Sequence, residues 1–252
     1  MNRTIFITGA TSGIGKACAE KFAADHDNLI INGRRTDRLE ELKLALKEKY
    51  NIKVYISSFD VRDKTAVSNA INNLPGEWRE IDILINNAGL AVGRELFDSA
   101  ELEDWEIMIN TNISGLLYVT KALLPFMTAR NQGHIINLGS VAAKEIYERG
   151  NVYCATKAAV DAISESMRID LLSHNIKVTA IHPGAVETEF AEVRFKGDKE
   201  KASRVYDGFT PLSAEDIANT IFYVASLPPH VCINDLVITP TAQANSIYFY
   251  KK

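Results

Sequence analysis

Cysteine, long apolar runs and an excess of basic charge are all scarce in this chain of 252 residues. The three cysteines, Cys18, Cys154 and Cys232, stand far apart and are odd in number. They make neither a CxxC metal pair nor a disulfide framework, which points to a reducing compartment. No stretch reaches the ~18 to 20 continuous apolar residues that span a bilayer. The opening Met-Asn-Arg-Thr-Ile-Phe-Ile-Thr-Gly has no apolar h-region and no small-residue cleavage site, so no signal peptide is expected and the cytoplasm is the expected location. A net charge of −4 provides no basic field to gather phosphates, which argues against a nucleic-acid partner. Histidine, cysteine and carboxylate residues nowhere fall at metal-ligand spacing, so no metal is expected. Linkers, low-complexity tracts and internal repeats are also lacking, and a single domain over 1–252 follows.

What is present is an alternation of short apolar runs and longer segments of helical period. Ile5-Phe-Ile, Leu29-Ile-Ile, Val54-Tyr-Ile, Ile83-Leu-Ile, Ile135-Ile-Asn-Leu, Val178-Thr-Ala-Ile and Leu236-Val-Ile read as buried strands. Helices are expected over 13–25, 36–50, 63–73, 101–130 with a break near 111, 151–173 and 213–227. Near-continuous apolar strands separated by helices predict an α/β chain: a doubly wound, seven-stranded parallel sheet of Rossmann type, covered on both faces. The charged stretch 188–210 breaks this rhythm and is expected to be a lid over a binding site.

Thr8-Gly9-Ala10-Thr11-Ser12-Gly13-Ile14-Gly15 follows the first strand and opens the first helix. Glycines there permit a tight turn and close approach of a pyrophosphate, while the helix start supplies free N–H groups. The second strand ends Asn32-Gly33-Arg34-Arg35, with no carboxylate before Asp37. Two guanidiniums beside an adenosine ribose suit a 2′-phosphate, so NADP is the expected cofactor. Cations merely solvating the helix start would oppose its dipole. Asp60 and Val61 follow the third strand; Asp60 would accept from an adenine amino group or cap the next helix. Asn86-Asn87-Ala88-Gly89 closes the fourth strand in a small-residue turn with room for a ribose.

Tyr153 and Lys157 lie one helical turn apart on the same face. An ammonium beside a phenol favours the phenolate, and Ser140, from a preceding strand end, would hold a substrate oxygen beside it. That is a proton-transfer site.

These motifs occur in order with Asn112 and the turn Pro183-Gly184, and over essentially its full length the chain resembles the short-chain dehydrogenase/reductase family. The segments Val193–Asp198, Leu227–Asn234 and Glu103-Asp-Trp105 resemble its branch of NADP-dependent 3-hydroxy acid dehydrogenases, which act on L-allo-threonine, serine and malonic semialdehyde. The resemblance implies Tyr153 as acid/base, Lys157 lowering its pKa and holding the nicotinamide ribose, Ser140 positioning the substrate oxygen, and the Asn112 carbonyl anchoring a water. It implies that Pro183, Gly184, Val186 and Thr188 hold the nicotinamide, that the following loop closes over the substrate, and that the protein is a homotetramer. The alternatives are a carbonyl reductase of uncharged ketones and a non-catalytic NADP sensor, whose mark would be an incomplete Ser/Tyr/Lys set.

A hydroxy-acid substrate needs a cation, and Arg194 in the lid or Arg149 near Tyr153 would serve. Tyr147 lines the same expected pocket, in a segment, 142–149, more charged than the family pattern. His182, before the Pro-Gly turn, reads as a structural histidine. His134 and His174 border strands and are expected to be solvated.

Overall fold

A computed structural model describes residues 2–252. Seven strands, β1 (Thr4–Ile7), β2 (Asn28–Gly33), β3 (Val54–Ser58), β4 (Ile83–Asn86), β5 (Gly133–Leu138), β6 (Ile176–Pro183) and β7 (Asp235–Ile238), form one sheet of order β3-β2-β1-β4-β5-β6-β7. Every pairing is parallel. Alternate residues of each strand supply the two faces. Ile5, Ile7, Leu29, Ile31, Ile83 and Ile85 pack beneath α1 (Gly13–Ala24), α2 (Thr36–Tyr50) and α9 (Ala214–Ala225). Phe6, Ile30, Leu84, Ile135 and Val178 pack beneath α3 (Lys64–Asn72) and α5 (Leu116–Arg130). Both faces being covered explains why the strands read as unbroken apolar runs.

The expected break near 111 is not a break. The helix continues from α4 (Leu102–Ile109) through a π-helical turn, Asn110–Gly115, into α5. Wide turns of this kind absorb an extra residue without stopping the helix, and they concentrate at functional sites. By length and composition the run Leu102–Arg130 would suffice to cross a membrane; here Val119, Leu123 and Met127 of α5 are spent on the sheet.

The stretch 188–210 is also more regular than a loop. It holds α7 (Phe190–Arg194) and α8 (Lys199–Arg204), the second capped by the Asp198 side chain. The 20-residue helix α6 (Asn151–Asp170) lies against β5 and β6. A buried polar chain fixes it: Asn86 Nδ2 donates to Asn137 Oδ1 at 2.9 Å, and Asn137 Nδ2 donates to Ser164 Oγ at 2.9 Å. Between β1 and β4 the strand order reverses direction, which opens a crevice at the strands' carboxyl ends.

Candidate active site

A cavity of about 840 Å³ occupies that crevice. Except for Gly15 and Asn112, every residue the sequence nominated for cofactor, substrate or catalysis lines it, apart from Arg149.

At one end the glycine loop turns into α1. Gly13 has φ +52°, and a Cβ at Gly15 would fall 2.2 Å from the Gly9 carbonyl oxygen, so both positions require glycine. No side chain caps α1 and no acidic residue stands in its first turn. Its leading N–H groups are therefore orphaned toward the cavity, an arrangement that fits a pyrophosphate. Asn87 lines the same space, but its amide is held by the backbone. Its Nδ2 donates to Thr8 O at 2.8 Å and Gly9 O at 3.2 Å, tying the β4 turn to the glycine loop.

Arg35 reaches back over the same loop, with NH2 donating to Thr11 Oγ1 and Ser12 Oγ, each at 3.0 Å. Its NH1 pairs with Glu189 at 3.1 Å, and Arg38, which the sequence reading passed over, pairs with the other oxygen at 2.8 Å. Burial would raise Glu189, but the two arginines hold its carboxyl below the usual glutamate value. Arg34 sits 3.7 Å from Asp60. Asp60 is not a helix cap: Asp63 caps α3, accepting from Thr65 N and Ala66 N at 2.9 Å. Asp60 is instead forked by Arg62 at 3.0 and 2.6 Å, which outweighs burial and holds it below the usual aspartate value. Several guanidiniums around the β2 end fit a ribose that carries a phosphate.

At the other end Ser140 leaves β5 and caps a short turn, its Oγ accepting from Ala142 N at 3.1 Å. Its hydroxyl is close enough to the Tyr153 phenol to favour the phenolate. Tyr153 and Lys157 come off one face of α6, both buried. Lys157 Nζ donates to Leu138 O at 2.8 Å. Burial lowers this amine to about 8. The groups that shift the Tyr153 phenol here are others than Lys157. Burial, helped by Tyr147, pushes it above the ordinary tyrosine value, while Ser140 and the Arg194 guanidinium oppose that rise. Arg194 is the cation that faces the ring, 5.4 Å from its centroid and 5.5 Å from that of Tyr147, with NH1 donating to the Tyr147 hydroxyl at 2.9 Å.

Asn112 lies in the π turn, away from the cavity surface. It accepts from Leu90 N at 2.9 Å and donates to Leu90 O at 2.8 Å and Thr156 Oγ1 at 3.0 Å. The extra residue of the turn thus lets one side chain lock the β4 loop to α6. Arg149 is excluded from the substrate end: it sits at φ +62°, half-exposed and 3.9 Å from Glu148, outside the cavity.

Sequence reading missed two groups at this end. Arg94 lines the mouth of the cavity, and partial loss of solvent together with the Arg194 charge holds it below the usual arginine value. Gln243, in the C-terminal segment, braces the Pro183-Gly184 turn by accepting from Ala185 N at 2.8 Å. The unpaired arginine a few residues past the Asn-Asn-Ala-Gly turn was a usable signal for the first. Nothing local marks the second. His134 is buried rather than solvated, with Nε2 2.8 Å from Thr179 Oγ1, and burial lowers it to about 3. The fold also gathers Asp161, His182 and Asp235, far apart in sequence, with the Lys144 ammonium bonded to both carboxylates.

The family model of short chain dehydrogenases matches residues 3–199. The chain belongs to the short-chain dehydrogenase family. An NADP-dependent 3-hydroxy acid dehydrogenase of Salmonella typhi is 46% identical to this short-chain dehydrogenase over 241 residues, 95% of this chain and 96% of that one. A serine 3-dehydrogenase of Rhizobium radiobacter is 46% identical over 244 residues, 97% and 96% of the two chains. Among solved structures, the closed form of serine dehydrogenase complexed with NADP+ superposes with a TM-score of 0.92 at 44% identity, covering 99% of each chain.

Proposed function

We propose that this short-chain dehydrogenase is an NADP-dependent oxidoreductase that interconverts the hydroxyl and carbonyl of small 3-hydroxy acids or hydroxy amino acids. The observation that carries this reading is the meeting of Ser140, Tyr153 and Lys157 with Arg194 in the cavity that also holds the Arg35 grip on the glycine loop. The named relatives act on such acids, and the similar solved structure holds NADP+.

Gly9, Thr11, Ser12, Gly13, Ile14 and Gly15 would cradle the pyrophosphate, and Arg34 and Arg35, with Arg38, the 2′-phosphate. Asp60 and Val61 would meet the adenine, Asn87, Ala88 and Gly89 a ribose, and Pro183, Gly184, Val186 and Thr188 the nicotinamide. When bound, the nicotinamide takes up or gives back the hydride at the substrate carbon. The chain's own residues manage the oxygen. Ser140 holds it, and Tyr153 takes the hydroxyl proton as the carbonyl forms. Lys157 binds the nicotinamide ribose and its charge favours the phenolate, while Asn112 anchors a water on the path from Lys157 to solvent. Tyr147 forms the wall and Arg194 meets the carboxylate. The Arg194 backbone carbonyl accepts from Gly93 N at 2.9 Å and Lys196 pairs with Asp104 at 2.7 Å, so residues 188–210 act as a lid fastened to the 90s loop and to α4.

Exposed Leu117 on α5 and Ile169 on α6 support a homotetramer assembled through those helices. Three unpaired cysteines support a cytoplasmic location.

The test is reduced-nicotinamide formation with L-serine, L-allo-threonine, 3-hydroxypropionate, 3-hydroxyisobutyrate and an uncharged secondary alcohol, with NADP and with NAD. Turnover of the acids with NADP, lost in Tyr153→Phe, is expected. Turnover of the uncharged alcohol alone would move the protein to the carbonyl reductases.

A further inference from the structure

His182 is wholly buried at the end of β6, directly behind Ser140. Its Nδ1 lies 3.4 Å from Ser140 N and 3.2 Å from Ser140 O. Its Nε2 lies 3.4 Å from Asp161 Oδ1 and 3.6 Å from Asp235 Oδ2. Lys144, which follows the turn that Ser140 caps, bonds to Asp161 at 2.8 Å and also to Asp235. The cluster therefore joins the Ser140 segment, β6, β7 and α6. On α6, Asp161 is the next residue along the face that carries Tyr153 and Lys157.

Counting partners decides where the imidazole keeps its proton. With the proton on Nε2, it points toward the carboxylates of Asp161 at 3.4 Å and Asp235 at 3.6 Å, an electrostatic attraction without a formed hydrogen bond, and Nδ1 is free to accept the Ser140 N–H. With the proton on Nδ1, the ring donates to Ser140 O. The Ser140 N–H is then left unpaired in a buried site and the Nε2 lone pair is set against two carboxylates, a costly outcome. The two carboxylates of this cluster already share a cation, the Lys144 ammonium, which is bonded to both.

We infer that His182 is a positioning residue for the reaction: Asp161, Asp235 and Lys144 hold it as the neutral Nε2–H tautomer, so that its Nδ1 fixes the Ser140 backbone and thereby the Ser140 hydroxyl beside Tyr153. The inference rests on the role proposed for Ser140. Protonation of the ring undoes it. An imidazolium carries a proton on Nδ1, cannot accept the Ser140 N–H, and pulls on the Ser140 carbonyl instead. The groups facing the ring are Asp161 from α6, Asp235 from β7, Lys144 from the end of the turn and the Ser140 peptide that follows β5. Burial, with Lys144, outweighs the carboxylates and keeps His182 below the ordinary histidine value, so the neutral form prevails at neutral pH.

Two measurements test this. In the wild-type protein, the ¹⁵N spectrum of His182 should show a protonated Nε2 and an unprotonated Nδ1 at neutral pH; the opposite tautomer, or a charged ring, overturns the inference whether or not the substrate assignment holds. In kinetics, His182→Leu should lower kcat about 10- to 100-fold through displacement of Ser140, with KM for NADP within about twofold. His182→Asn, whose amide oxygen can still accept the Ser140 N–H, should recover most of that loss. The wild-type kcat should fall on the acid side with a pKa below the ordinary histidine value, and this limb should vanish in His182→Asn. Unchanged kcat in His182→Leu, or an acid limb that persists in His182→Asn, overturns the inference.

Discussion

The two ends of the cavity treat their cations differently. At the adenosine end each arginine has a carboxylate: Arg35 and Arg38 share Glu189, while Arg34 and Arg62 share Asp60. At the substrate end Arg94 and Arg194 form no ion pair among the described residues, and the buried Arg194 Nε has no partner. Paired cations are positioned before a ligand arrives. Unpaired ones keep an electrostatic demand that only an anion meets. The first end is prepared for one ligand; the second selects ligands by charge.

The largest effect should come from removing that demand. Arg194→Gln should lower kcat/KM for a hydroxy acid about 10- to 100-fold, the span of a lost charged hydrogen bond, and leave an uncharged secondary alcohol within about threefold. Arg94→Gln should act in the same direction and more weakly, because Arg94 lies at the exposed mouth while Arg194 faces Tyr153. Equal losses on acid and alcohol would assign both arginines to lid packing and dissolve the contrast between the two ends.

Next comes the proton chemistry. Burial leaves Lys157 near 8, far below a free lysine. The ammonium is present below that value and lost above it, so its support of the Tyr153 phenolate fades as pH rises through about 8. kcat/KM should therefore show an alkaline limb near that pH. Lys157→Arg, whose guanidinium stays charged, should lose the limb even if its rate is lower. A limb that survives in Lys157→Arg would belong to another group. At the adenosine end, Arg35→Gln should cut the preference for NADP over NAD about tenfold, the scale of one phosphate contact, without changing kcat.

The prepared end was also the more legible in sequence. The glycine loop, Arg34-Arg35 and the Asn-Asn-Ala-Gly turn are local patterns whose geometry follows from a strand ending at a helix. The strands were visible for the same reason, since double burial writes unbroken apolar runs. What escaped was whatever depends on distant partners. The π turn at Asn110–Gly115 reads as a helix break because its wide turn shifts the periodicity, although its purpose is to bring Asn112 to Leu90 and Thr156. His134 looked solvated beside a strand, but it lies within β5, buried, and its ring meets Thr179 on β6, two positions beyond its register partner Lys177. Arg94 and Arg149 were indistinguishable as charged loop residues until the backbone turned one inward and the other out. The Asp161–His182–Asp235 cluster needs α6, β6 and β7 assembled before it exists.

The smallest expected effect probes the pairing itself. Glu189 holds Arg35 and Arg38 in place, yet its charge competes with an incoming phosphate for the same guanidiniums. Its side chain is 46% exposed, so water screens both interactions. Exposed pairs of this kind are worth about 0.2–1 kcal/mol. Glu189→Gln keeps a hydrogen-bonding amide and frees the cations, so NADP should bind tighter by up to about threefold, and more so at low salt. Binding of NAD should not change, because it brings no phosphate to this position. If Glu189→Gln instead weakens NADP, the carboxylate serves chiefly to orient the arginines, and the paired end owes its affinity to rigidity more than to charge.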